Sequence, residues 1–265
     1  MLKDITIGQY FPGDTIVHKL DPRVKILITF VFIISLFFIN KFYPYLLILG
    51  FILTVIKLSK VPFKYVFKGL KPLRFIIIIT FFINAFMTKG VELFSIGPLT
   101  VSEEGLYQAI FMALRLIFLI MGTSLLTLTT SPISLTDGIE KLLNPLKIIG
   151  LPAHELAMMM TIALRFIPTL LEETDKIMKA QMARGADFES GNILNRAKNL
   201  VPLLVPLFVN SFRRADELAM AMEARCYRGG EHRTRLNEIK MDKIDFIVIT
   251  IMTIFFGILI STRYI

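Results

Sequence analysis

Apolar residues gather into long runs at several places in this chain. Val24–Asn40, Tyr43–Leu58, Phe75–Thr88, residues 106–130 and Ile244–Ile260 carry few charges. Such runs predict membrane-spanning helices, because a hydrocarbon core of about 30 Å takes ~20 residues to cross. The first two are short for that task, and the third gains length if it begins near Leu70. Ser102 suits the N-cap of the fourth run, with Glu103 and Glu104 in its first turn. Before it, residues 96–101 suggest a small extended turn around Gly97 and Pro98.

From Ser131 to Asp242 the pattern changes. Acids and bases are nearly balanced, and apolar residues recur at helical spacing. Asp137–Leu146 predicts a short helix. Pro152–Arg184 predicts a long one, with Leu156, Met160, Ala163, Ile167, Leu170 and Ile177 on one stripe and a bend at Pro168. Gly185–Gly191 breaks it. Asn192–Arg225 predicts another, with Ala197, Leu200, Leu204, Leu207, Ser211, Ala215, Leu218 and Met222 on one stripe, bent by Pro202 and Pro206. Arg165, the prolines and the flanking charges favour amphipathic helices at the cytoplasmic membrane face over spans.

The ends of these two helices carry a short repeat. Asp175–Gly185 and Asp216–Cys226 both fit Asp-x-(Ile/Leu)-x-x-Ala-x-x-Ala-Arg-x. Ile177, Ala180 and Arg184 share one helical face, as do Leu218, Ala221 and Arg225. The alanines lower the surface so that another backbone can approach. Gly185 suits a helix end because it tolerates positive φ. Each arginine then projects from a helix C-terminus, where the dipole favours a cation, and suits a socket of carboxylate or carbonyl acceptors. A solvated arginine near a helix end is the plainer reading of either copy alone; two matched copies suggest paired docking tips.

Charge sets the orientation. The link at the end of Tyr43–Leu58 and beyond carries Lys57, Lys60, Lys64, Lys68, Lys71 and Arg74 and no acid, a cytoplasmic signal. The loop with Glu92, Glu103 and Glu104 then reads as external. The N-terminus is expected inside and the C-terminus outside. Arg115 falls within the fourth span, where it calls for an ion-pair partner or a short snorkelling path to the external end.

Composition narrows the functional classes. Of 265 residues 54% are apolar, and the mean hydropathy is +0.65. The net charge of +9 could suit nucleic acid, but the excess bases sit beside apolar segments, which excludes that partner. Cys226 is the single cysteine, so neither an intrachain disulfide nor a cysteine metal cluster is expected. The opening of about 20 polar residues shows no cleavable signal pattern. No Gly-x-x-x-x-Gly-Lys-Ser/Thr, His-Glu-x-x-His or Gly-x-Ser-x-Gly occurs. His18, His154 and His232 are scattered and expected at the surface. Catalytic residues, metals and cofactors are accordingly not expected. Met158–Met160, Met178, Met182, Met220 and Met222 suit a core, or a surface that repacks against several partners.

The motifs together resemble the transmembrane T component of energy-coupling factor (ECF) transporters, related to the T component of cobalt importers. The resemblance rests on Gly8–Arg23, on Glu104–Leu106 followed by Leu114 and Arg115, and on Leu164–Pro168 leading to Ala180–Gly185. The family's two Ala-Arg-Gly signatures map onto Ala183, Arg184 and Gly185 and onto Ala224, Arg225 and Cys226. Cys226 departs from glycine.

The resemblance implies an all-α integral membrane protein of about five transmembrane helices, with long cytoplasmic amphipathic coupling helices between the fourth and last spans. It divides into a cytoplasmic segment 1–23, a four-helix membrane region 24–130, a coupling-helix domain 131–242 and a last span 243–265. It also implies a non-catalytic subunit of an ATP-driven vitamin importer. The arginine tips would dock into two ATP-binding-cassette (ABC) ATPase subunits, and the chain would hold a separate substrate-capture S component. An intramembrane enzyme using Arg115, Glu155 or the histidines, and a self-sufficient secondary transporter, are the alternatives.

Overall fold

The structure is a computed structural model that describes residues 10–96, 99–188, 193–229 and 240–263. His232, the Gly97–Pro98 turn, residues 1–9 and most of the break before Asn192 lie outside the described residues. The chain divides into two compact units, one of Gly8–Ile139 with Glu238–Ile265, the other built on Glu140–Asn237.

The first unit contains a four-residue turn of helix α1 (Ile16–Lys19), then α2 (Pro22–Phe38), α3 (Tyr43–Ser59), α4 (Phe63–Leu70) and α5 (Arg74–Met87). A hairpin of β1 (Glu92–Ile96) and β2 (Leu99–Ser102) precedes α6 (Glu103–Thr129). It pairs antiparallel, with Ser95 opposite Thr100 and Ile96 opposite Leu99, where the sequence suggests only an extended turn. Helix α7 (Pro132–Leu143) begins in this unit, and α10 (Lys243–Ser261) closes it.

Helix α6 is the post of the bundle and packs against α2, α3, α4 and α5. Ser102 caps it, its Oγ accepting from Gly105 N at 3.0 Å. Helix α3 buries Tyr45, Ile48, Ile52 and Ile56 at three- and four-residue steps. They join Phe32, Leu36, Phe118, Met121, Leu125, Leu128 and Phe256 in one core. Gly122 lets α2 come close, since a β-carbon there would overlap the Phe32 ring. The other faces stay apolar and exposed, as a lipid-facing surface requires: Leu46 is 75% exposed and Phe75 69%.

Among the described residues four helical runs are long and apolar enough to cross a membrane: Phe63–Met87, α6, Ala153–Ala183 and α10. Helices α2 and α3, at 17 residues each, span about 26 Å. The lysine-rich link after α3 is itself helical. Val66 is buried while Lys64 and Lys68 stay exposed, so α4 is an amphipathic step into α5.

Arg115 meets a backbone acceptor at the end of α2 rather than a carboxylate, and it lines an open pocket with Glu103 and Glu104. Its Nη2 donates to the carbonyl of Ile39 at 2.9 Å, at the C-cap of α2. The rings of Phe111 and Phe37 lie 4.9 and 5.6 Å from the guanidinium carbon. The cation thus closes a helix end within the bundle, where the α2 dipole favours it. A second polar seam fastens α10 to α2. Asp245 accepts from Asp21 N at 2.9 Å and from Asp242 N at 2.8 Å, and Asp21 holds Arg23 at 2.6 Å.

The second unit is built on α8 (Ala153–Ala183) and α9 (Ile193–Ala224). They pair antiparallel. Gln181 reaches the Pro202 carbonyl at 3.4 Å, Asn210 donates to Glu173 at 2.6 Å, and Arg214 covers the Phe166 ring at 5.8 Å. Among the described side chains of α9 Leu203 is the buried one, with Leu207, Leu218 and Met222 half-buried behind it. Leu200 and Leu204, on the same apolar stripe as Leu207, are exposed by 41% and 43%. The packed row follows the residues facing α8, so the apolar surface of α9 is wider than one stripe. Both helices continue through their internal prolines.

Candidate functional site

The two repeat copies end their helices in the same way. Helix α8 stops at Ala183, and Arg184 is the C-cap. Gly185 N donates to Met182 O and Ala186 N to Gln181 O, each at 3.0 Å, while Gly185 takes φ of 89°. Helix α9 stops at Ala224. Cys226 N donates to Glu223 O at 2.8 Å and Tyr227 N to Met222 O at 3.0 Å, while Cys226 takes φ of 55°. Both are paired-bond left-handed caps of the Schellman type, which satisfy the last carbonyls of the helix. The cysteine holds the left-handed conformation that glycine reaches without strain. The expected helix ends fall within one residue of those observed.

Each cap carries its arginine outward. Arg184 and Arg225 are exposed, and neither guanidinium has a partner among the described residues. Ile177 and Leu218 are half-buried. Ala180, Ala183, Ala221 and Ala224 are exposed, leaving a low surface beside each guanidinium. The antiparallel pairing puts the two tips at opposite ends of the helix pair. Counting residues along α9 from Arg225 to the level of Arg184 separates them by roughly 40 Å.

Residues 13–236 match the cobalt transport protein family, CbiQ. The chain belongs to that family. It is 67% identical over 249 residues to the energy-coupling factor transporter transmembrane protein EcfT of Clostridium kluyveri, covering 93% of this chain and 92% of the relative. It is 64% identical over 244 residues to the protein of that name from Thermosediminibacter oceani, covering 92% of each. Identity to the Bacillus subtilis protein of that name is 52% over 264 residues, 99% of this chain and 100% of the relative. The chain is thus an all-α membrane protein of the EcfT type, a T component of ECF transporters.

This EcfT-type chain carries a brace that its sequence does not announce. His154 Nδ1 lies 3.0 Å from Glu140 Oε1, and Tyr227 Oη lies 3.4 Å from His154 Nε2. His154 is half-buried. Tyr227 directly follows the left-handed Cys226, so the second tip is tied back at its own cap. A cavity of about 540 Å³ opens beside it, lined by Met158, Ile162, Leu218, Met222, Arg225 and Tyr227 among others. After the first tip the chain is held differently, by Asn199 Nδ2 donating to the Asp187 carbonyl at 2.6 Å. These partners lie far apart in sequence and leave no periodic signal. Among the described residues no group of acids, histidines and cysteine has the arrangement of a metal site.

Proposed function

We propose that this T component couples two ATP-binding-cassette ATPases to a substrate-capture S component of a vitamin importer. One observation carries the reading. Two copies of a motif, at opposite ends of one helix pair, present an exposed arginine, without a partner among the described residues, on the same backbone cap. Two like prongs fit two like sockets, whether the ATPases are identical or paired. The chain has no Gly-x-x-x-x-Gly-Lys-Ser/Thr with which to bind nucleotide phosphates in that way, which fits energy supplied by partners. The contact set is Ala183, Arg184, Gly185, Ala224, Arg225 and Cys226, flanked by Ile177, Ala180, Leu218 and Ala221. The relatives' name, energy-coupling factor transporter transmembrane protein, supports the same role.

In this reading α8 and α9 lie at the cytoplasmic face as coupling helices, although α8 is apolar enough to span. Arg165, Glu172, Glu173, Asp175, Lys176 and Lys179 on α8 favour the interface. The lysine-rich helix α4 marks the inner side, so the N-terminus is inside and the C-terminus outside. Val201, Val205, Phe208, Val209 and Phe212 make an exposed apolar face on α9 suited to the S component.

Charge reversal tests this directly. Arg184→Glu and Arg225→Glu should each weaken co-purification of ATPase subunits, and the double variant should abolish vitamin uptake. Full assembly and uptake in the double variant would refute the proposal.

A further inference from the structure

The membrane unit holds a cavity pair that the docking tips do not explain. A polar chamber of about 330 Å³ is lined by His18, Lys19, Lys25, Thr130, Ser134 and Lys240, among others. An apolar slot of about 160 Å³ is lined by Ile28, Phe32, Val55, Leu58, Leu126 and Met252, among others. Leu20, Lys25 and Thr129 belong to both linings, so the two spaces adjoin. Their chemistry is opposite on either side of that shared wall.

We infer that this pair is a binding site for one anionic phospholipid, with the headgroup phosphate in the chamber and the start of an acyl chain in the slot. The chamber has the charge for it. Lys19, Lys25 and Lys240 line it with one aspartate; Asp21 is held by Arg23 through both oxygens, and Lys240 has an interaction of its own. Burial lowers the pKa of His18, so the positive charge comes from the lysines. It has donors too. Lys25, only 7% exposed, gives two of its three ammonium protons to the carbonyls of His18 and Thr129, each at 3.0 Å. The third has no acceptor among the described residues. Thr130 is 5% exposed, and its Oγ1 has no hydrogen-bond partner. A buried hydroxyl and a buried ammonium proton, each unmatched, are costly unless an oxygen acceptor arrives.

The chamber also meets the start of α7. Ser131 Oγ accepts from Ser134 N at 3.2 Å there, and the helix N-terminus favours an anion.

The slot supplies the second half of the specificity. Its lining comes from α1, α2, α3, α6 and α10, and Ile16 and Leu58 at its rim are 57% and 52% exposed. A slot open at an apolar rim in a membrane protein is reached from the acyl layer. A free phosphate would fill the chamber and leave the slot empty; an anionic lipid fills both.

Native mass spectrometry of the purified full chain, titrated after delipidation with phosphatidylglycerol, phosphatidylcholine or inorganic phosphate, tests this. One phosphatidylglycerol should bind about tenfold more tightly than phosphatidylcholine. Lys19→Glu with Lys240→Glu should erase that preference, and Val55→Trp should weaken both lipids by obstructing the slot. Lys64→Glu with Lys68→Glu on α4 should leave the tight site intact. Equal binding of the two lipids to the unmodified chain would overturn the inference. So would a preference that survives the chamber reversals, or displacement of the lipid by inorganic phosphate at equal concentration. The comparison of lipids on the unmodified chain decides the matter even if a variant does not fold.

Discussion

The two arginine tips share a backbone and differ in what surrounds it. At the first, Gly185 takes the left-handed position freely, and the following residue, Ala186, has a methyl side chain. At the second, Cys226 is held in the same conformation, and Tyr227 is tied to His154 and through it to Glu140. The pair of cap hydrogen bonds is the same in both, so the shape that projects the guanidinium is the repeated feature. The difference teaches that the second tip uses side-chain bonds to hold a conformation that the first obtains from glycine. Under the proposed docking, the two collars would present the same guanidinium with different rigidity.

Substitutions can break or sharpen that contrast. The largest effect belongs to the guanidinium itself. Arg184→Glu or Arg225→Glu should cost about 2–5 kcal/mol of ATPase binding, read by co-purification or titration with the isolated ATPases. If one reversal has no effect, the tips are not equivalent prongs.

Arg115→Met serves as the control from the membrane unit. Leaving the Ile39 carbonyl without its donor should cost about 1–3 kcal/mol of stability, seen as a lower melting temperature, while ATPase binding per folded molecule is unchanged.

Gly185→Val forces a branched side chain into positive φ and should cost about 1–2 kcal/mol at the first tip. Cys226→Gly should go the other way, stabilising the second cap by about 1 kcal/mol. Opposite signs at matched positions would confirm that both caps rest on the same left-handed residue, and thermal unfolding in detergent measures them.

Tyr227→Phe is the smallest change. Loss of one long hydrogen bond should cost about 0.5–1 kcal/mol. Amide hydrogen exchange should rise around residues 222–227 and not around 181–186.

Much of this was legible in the chain. The apolar runs gave the bundle helices because burial and lipid contact both demand them. Ser102, Gly185 and the arginine repeat stood out because caps are local and need particular residue types. What was hidden depends on pairs distant in sequence. Asp21 with Asp245 lie 224 residues apart, and Tyr227 with His154 lie 73 apart, so no spacing rule reaches them. The buried row of α9 was hidden for a related reason. A helix with apolar residues around most of its girth does not reveal which row its partner covers: Leu203 is buried beside Leu207, Leu218 and Met222, while Leu200 and Leu204 stay exposed. Helix α4 was hidden by its lysines, which mark a cytoplasmic link whether or not it is helical.

Placing a photoreactive amino acid in turn at positions 184 and 225 of the assembled transporter tests the central claim most directly. The account predicts that each position cross-links to an ATPase subunit. Cross-links at both positions to lipid alone, with the ATPases still bound, would contradict it.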